Sequence, residues 1–105
     1  MNSKKPPKHL SLESKKLWKA LNSEFELTLD FLIILKVALE ALDRLNQARV
    51  EVDRDGAVIT TPTGFKKPHP SLKIEKESRA GFLQAWRMLN LDFELPGEIG
   101  RPPGT

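Results

Sequence analysis

The long apolar segment from about Leu29 to Arg54 constrains the fold of this chain more than any other feature. Its apolar residues recur every three or four positions, which is typical of an amphipathic helix, and at 1.5 Å per residue such a helix is about 40 Å long. The segment carries two series at this spacing: Leu32, Leu35, Leu39 and Leu42, and then Phe31, Ile34, Ala38, Ala41, Leu45, Ala48 and Val52. So broad an apolar arc predicts burial on more than one side.

Two explanations for this broad arc remain open from the sequence. Leu32, Leu35, Leu39 and Leu42 alternate in steps of three and four, as in a coiled-coil seam, and this predicts an oligomerisation surface. The alternative is that the same leucines pack against two further helices inside one three-helix domain. We favour self-association, because an exposed apolar patch of this size is unfavourable for a monomer.

The remaining sequence predicts two shorter helices and a hairpin. Ser11 is a suitable N-cap for a helix from about residue 12 to residue 23. Asp55-Gly56 ends the long helix, and the β-branched residues 58–61 are followed by a Pro-Thr-Gly turn and by residues 65–67, which could pair back. A third helix is expected over residues 71–90.

The predicted fold is therefore mainly α, with three helices of which the central one is long, a small β-hairpin between helices 2 and 3, and flexible termini. Residues 1–10 are expected to form a basic flexible arm, and residues 11–91 a helical domain for oligomerisation and DNA binding. Residues 92–105, which are rich in proline and glycine, are expected to form an irregular C-terminal tail.

The residue types that carry most enzyme and metal chemistry are sparse. The chain has no cysteine, and its two histidines, His9 and His69, lack the spacing of metal ligands. No glycine-rich phosphate loop is present, and Ser71 lacks the strand–turn–helix setting of a nucleophile. We therefore expect no catalytic residue, no metal and no cofactor. No apolar run approaches the roughly 20 residues that span a bilayer, so we expect no membrane partner and a cytoplasmic location.

Positive charge is concentrated at the N-terminal end. Residues 1–19 contain six lysines and one glutamate, although the formal net charge of the whole chain is only +3. Lysines at this density neutralise phosphates and give salt-sensitive binding with little sequence selectivity. A second basic cluster precedes the third helix, whose N-terminus itself favours phosphate. The predicted DNA-binding residues are Lys4, Lys5, Lys8, His9, Lys15, Lys16, Lys19, Lys66, Lys67, His69 and Lys73. Solvated lysines without a partner are the alternative for both clusters.

A set of short motifs, taken in order, resembles one protein family. The motifs are Pro7-Lys8-His9-Leu10-Ser11 with Trp18, Leu39 to Ala48, Asp55-Gly56, Thr60-Thr61-Pro62-Thr63-Gly64, Lys67-Pro68-His69-Pro70, Ile74-Glu75 and Leu89 to Leu91. Their order and spacing over roughly residues 7–93 are similar to those of phage terminase small subunits, which act in viral DNA packaging and virion assembly.

The resemblance implies a non-catalytic protein that assembles as a ring-shaped homo-oligomer. Such a protein would bind double-stranded viral DNA at the packaging-initiation site, and would regulate the ATPase and nuclease of the large terminase subunit in the cytoplasm of the bacterial host. The alternative is a non-catalytic structural or adaptor protein of the phage head, which binds a partner chain through the long helix.

Overall fold

Three helices and one β-hairpin make up the fold in the computed structural model, which describes residues 5–90. The elements in chain order are α1 (Leu12–Glu24), α2 (Leu29–Asp55), β1 (Val58–Thr60), β2 (Lys66–Pro68) and α3 (Pro70–Leu89). The predicted fold class is confirmed, and each helix begins and ends within one residue of its expected bounds. Lys4 and the predicted tail of residues 92–105 lie outside the described residues.

The pair of helices α2 and α3 forms most of the core. The two helices are antiparallel, because Ser71 at the start of α3 hydrogen-bonds Glu51 near the end of α2, whereas Val37 and Gly81 line one groove further along the pair. Phe82 is fully buried between the helices, and its ring centroid lies 5.7 Å from that of Trp86. Burial of each large side chain of this kind stabilises the fold by about 1.5–3 kcal/mol.

Helix α1 packs against α2 beside α3, and all three helices contribute to one buried core. Its N-terminus lies near the middle of α2, since the Ser14 hydroxyl contacts the side chain of Asp43, and the short connection after Glu24 leads back to the start of α2. Trp18 and Leu21 are buried in this contact. The long helix is therefore covered on two sides by the other two helices.

This arrangement corrects the assignment of the leucine series to an oligomer contact. Leu32, Leu35, Leu39 and Leu42 are all buried within the core of a single chain. The physical reason is that α1 and α3 together cover the broad apolar arc of α2, so a second copy cannot reach these side chains in the folded chain. Packing inside one three-helix domain, the alternative left open by the sequence, is what the structure contains.

The N-terminal segment also differs from the expected arm. From residue 5 onward it has a defined path, with a turn in which the Leu10 backbone N–H donates to the Pro7 carbonyl. Leu10 is buried in the core, and His9 Nε2 lies 2.7 Å from a carboxylate oxygen of Glu40. A buried leucine directly after the basic residues holds this segment against the helices.

The hairpin pairs β1 with β2 in antiparallel register, with Val58 opposite Pro68 and Thr60 opposite Lys66. Its loop is closed by two bonds, because the Thr61 N–H donates to the Phe65 carbonyl at 2.7 Å and the Phe65 N–H donates to the Thr61 hydroxyl at 3.1 Å. Gly64 has a φ of +92°, a conformation that other residues adopt at a cost. The sequence Pro-Thr-Gly therefore produces the predicted turn.

Candidate nucleic-acid interface

The outward side of α1 and the segment before it form a surface of lysines. Within residues 5–19 of the chain, Lys5, Lys8, Lys16 and Lys19 are exposed and Lys15 is half-buried. The helix presents Trp18 and Leu21 to the core on its other side. None of these five lysines forms an ion pair within residues 5–90. Their ammonium groups are therefore available to an external anion.

One carboxylate of α2 holds the start of α1. Asp43 accepts hydrogen bonds from the Ser11 backbone N–H at 2.8 Å, from the Ser11 hydroxyl at 2.6 Å and from the Ser14 hydroxyl at 2.6 Å. Ser11 is also the N-cap of α1, since its hydroxyl accepts from the Ser14 N–H. The cap predicted from the sequence is confirmed, and its link to α2 orients the lysines of α1 toward solvent.

His9 lies next to this surface but faces a cleft lined by acidic groups. Its imidazole contacts Glu40, and Glu13, Asp43 and one cation, Arg44, also line the cleft. Three carboxylates against one guanidinium disfavour phosphate, so the predicted role of His9 in DNA binding does not agree with its surroundings.

The second basic cluster lies apart from the first. Lys66 and Lys67 are exposed on β2, which follows the end of α2, whereas α1 is fixed at Asp43. At 1.5 Å per residue, the part of α2 between Asp43 and Asp55 spans about 18 Å. Lys73, on α3, lies 3.8 Å from Glu77 in an exposed pair, a geometry that contributes little. The structure therefore places the predicted lysines in two separate groups.

His69 belongs to neither group, which corrects its assignment to DNA binding. Its side chain is 9% exposed, and both ring nitrogens are engaged. Nδ1 accepts the Ser71 backbone N–H at 3.0 Å, so Nε2 carries the proton and donates to Asp55 at 2.9 Å. Pro68 and Pro70 on either side fix the backbone, and the histidine caps α3. Its role is structural because nothing of the ring is left for a phosphate.

Asp55, His69 and Ser71 resemble a catalytic triad in composition but not in geometry. The Ser71 hydroxyl donates to Glu51 at 2.6 Å, and the imidazole nitrogen that would take its proton accepts a backbone N–H instead. The hydrogen bonds that Asp55 and Glu51 accept favour the charged forms of these two carboxyl groups. The hydrogen bond from Arg54, followed by that from His69, holds the pKa of Asp55 well below its ordinary value. The Ser71 hydroxyl, followed by Gln47, lowers the pKa of Glu51.

An exposed apolar surface on α2 was not predicted from the sequence. Leu29, Ile33 and Val37 are 68%, 58% and 52% exposed, and their spacing of four residues places them on one side of the helix. Ile74 of α3 lines the groove between the two helices that Val37 also lines. We call these four residues the α2–α3 face. The spacing of Leu29, Ile33 and Val37 is visible in the sequence but is hidden among the two longer apolar series.

Comparison with models of protein families, with curated proteins and with solved structures finds no match for this chain. Among residues 5–90, no group of three or more histidine, aspartate or glutamate side chains could hold a metal ion. The helices of the same region are too short or too polar to cross a membrane.

Proposed function

We propose that this chain is a terminase small subunit, a non-catalytic protein that binds viral DNA for packaging. The observation that carries the proposal is the lysine surface of α1 and the preceding segment (Lys5, Lys8, Lys15, Lys16 and Lys19), which has no acidic partner within the described residues. Unpaired lysines on a rigid helix displace counterions from DNA without a competing internal ion pair. The order of motifs in the sequence supports the same family.

In this proposal, copies of the chain associate through the α2–α3 face. The face offers apolar side chains at Leu29, Ile33 and Val37, and Glu40 and Arg44 border the groove beside it. Because the border carries charges of both signs, it can form ion pairs with the same border of a second copy. A ring of such copies would place many lysine surfaces on one DNA molecule, so that weak individual contacts add up by avidity. The assembled subunit would then regulate the large terminase subunit.

The DNA-binding part is tested by replacing Lys15, Lys16 and Lys19 together with glutamine. The triple variant should bind a DNA duplex more weakly at low salt, and the plot of log K against log salt concentration should become shallower by about 0.9 for each phosphate that is no longer neutralised. The matched control replaces Lys36, Lys76 and Arg87 with glutamine, because these exposed residues carry the same charge on α2 and α3. Equal reductions in affinity for both variants would contradict a specific lysine surface on α1.

The assembly part is tested by light scattering. Replacement of Ile33 and Val37 with glutamine should reduce the mass of the particles toward that of one chain. Val50→Gln is the control, since Val50 is similarly exposed on α2 but lies in the cleft beside α1. An unchanged mass in the double variant would contradict association through the α2–α3 face.

A second candidate function rests on the same face. An adaptor protein of the phage head would use Leu29, Ile33 and Val37 to bind a different chain. This alternative predicts that the protein binds no DNA even at low salt, and that glutamine at Lys15, Lys16 and Lys19 changes nothing. DNA binding by the unmodified protein therefore separates the two functions.

A further inference from the structure

Phe65, in the hairpin loop, is the most exposed large apolar side chain of the described residues, at 73%. It is followed directly by Lys66 and Lys67, both exposed. Residues 56–70 contain no acidic side chain. The hairpin thus combines one largely exposed aromatic ring with positive charge that is not neutralised within its own segment.

Hydrogen bonds hold the backbone of the loop that carries Phe65. The loop is closed by the two bonds between Thr61 and Phe65, and by the Gly64 N–H, which donates to the Thr61 carbonyl at 2.9 Å. At the base of the hairpin, the His69 N–H donates to the Ala57 carbonyl at 2.8 Å. A side chain on such a loop starts from a fixed backbone position, which lowers the entropy cost of binding.

We propose that this hairpin is a second nucleic-acid contact, in which the Phe65 ring stacks on a base that has left the duplex stack or lies in a single strand. Aromatic side chains stack on bases of any sequence. Successive residues of a strand point to opposite faces, so Lys66 and Lys67 project from two sides of the ribbon and reach the phosphates on either side of that base. The inference rests on the proposed DNA-binding function and adds a base contact to it.

The surroundings of Phe65 favour nucleic acid over a lipid surface. Membrane binding requires a larger apolar area inserted below the headgroups, whereas the loop before Phe65 consists of Thr61, Pro62, Thr63 and Gly64. One ring and two lysines match a single base with its flanking phosphates.

The test measures the affinity of the full chain for a short oligothymidylate and for a DNA duplex. Phe65→Ala should weaken oligothymidylate binding by about 5- to 150-fold, the range observed for loss of one stacked base. Phe65→Leu should weaken it similarly, because leucine keeps the apolar volume but has no π face. Val58→Ala is the control, since Val58 is an exposed apolar residue of the same hairpin, and it should leave both affinities unchanged.

Three other results would overturn the inference, and they are distinguishable. If the protein binds duplex through the α1 lysines but Phe65→Ala leaves oligothymidylate affinity unchanged, the base contact is wrong and the proposed function stands. If the unmodified protein binds neither nucleic acid, both fail. If Phe65→Ala abolishes binding to phosphatidylserine vesicles and leaves oligothymidylate affinity unchanged, the hairpin binds lipid instead. Unchanged melting temperatures in all variants establish that they are folded.

Discussion

His69 Nε2 lies 2.9 Å from a carboxylate oxygen of Asp55, and this contact joins the start of α3 to the end of α2. The other ring nitrogen caps α3 by accepting the Ser71 N–H, and the backbone N–H of His69 closes the base of the hairpin on Ala57. One residue therefore fixes a helix end, a helix start and the hairpin between them. These three structural contacts account for the histidine in the segment Lys-Pro-His-Pro, so no ligand is required to explain it.

Replacement of His69 should lower stability without changing DNA affinity. His69→Ala removes the helix cap, a loss of about 0.5–2 kcal/mol, together with the bond to Asp55. His69→Asn is the matched variant, because an asparagine oxygen can cap α3 but cannot reach Asp55 from the same backbone position, so it should cost less. Urea unfolding measures both. A selective loss of DNA binding by His69→Ala at unchanged stability would restore the sequence-based assignment.

Acid should destabilise the native protein partly through Asp55. Its pKa is lowered in the folded state, chiefly by Arg54 and then by His69. A carboxyl group of this kind stabilises the fold above its unfolded pKa of about 4, and this stability is lost as the pH falls toward the folded pKa. Asp55→Asn should therefore reduce the fall in melting temperature between neutral pH and pH of about 3.

The control for this acid effect is Asp53→Asn. Asp53 is exposed, and its side chain has no hydrogen bond or ion pair within residues 5–90. Its variant should follow the unmodified protein across the whole pH range. If Asp55→Asn shows the same acid response as Asp53→Asn, the bonds at Asp55 do not contribute to the pH dependence.

Local signals in the sequence were sufficient to predict the helices and the hairpin, but not the tertiary contacts between them. Ser11, Asp55-Gly56 and the prolines around His69 act on neighbouring backbone, so the helix ends could be predicted. Whether Leu35 and Leu39 are buried inside one chain or contact a second copy depends on whether α1 and α3 are close enough to cover them. The apolar periodicity of α2 is the same in both cases. Likewise, no local pattern shows that His69 faces Asp55 or that Ser11 bonds to Asp43, because both are tertiary contacts.

Leu39 and Ile33 should respond to truncation in opposite ways. Leu39 is fully buried, so Leu39→Ala should cost about 2–5 kcal/mol of unfolding free energy. Ile33→Ala, at an exposed site, should change it by less than about 0.5 kcal/mol but should reduce association. Urea unfolding of dilute protein and light scattering measure the two effects. A stable Leu39→Ala variant that no longer associated would support the leucine seam after all.

Gly81 provides an independent probe of the α2–α3 face. It lies within α3, in the groove with Val37 and Ile74, and a Cβ atom there meets no atom within 4 Å beyond the adjacent backbone of its own helix. Gly81→Ala should therefore stabilise the single chain by about 0.5–1 kcal/mol, through helix propensity and a less flexible unfolded state. If a second copy packs closely against this groove, the added methyl group should also weaken association. Stabilisation with unchanged association would place the contact between copies elsewhere.

Asp43 should control whether α1 stays on α2. Asp43→Ala removes three hydrogen bonds to a charged group, from the Ser11 N–H and the hydroxyls of Ser11 and Ser14, and bonds of this type contribute about 1.5–3 kcal/mol each at most. Because α1 packs against α2 much less extensively than α3 does, we expect α1 to detach before the α2–α3 pair unfolds.

The buried indole of Trp18 reports this detachment in a Trp86→Phe background. Its emission should shift to the red at a urea concentration below that of the far-UV circular dichroism transition. Asp53→Ala is the control for removal of an acidic side chain from α2. If the emission and circular dichroism transitions of Asp43→Ala coincide at the urea midpoint of the unmodified protein, Asp43 does not hold the lysine surface in place.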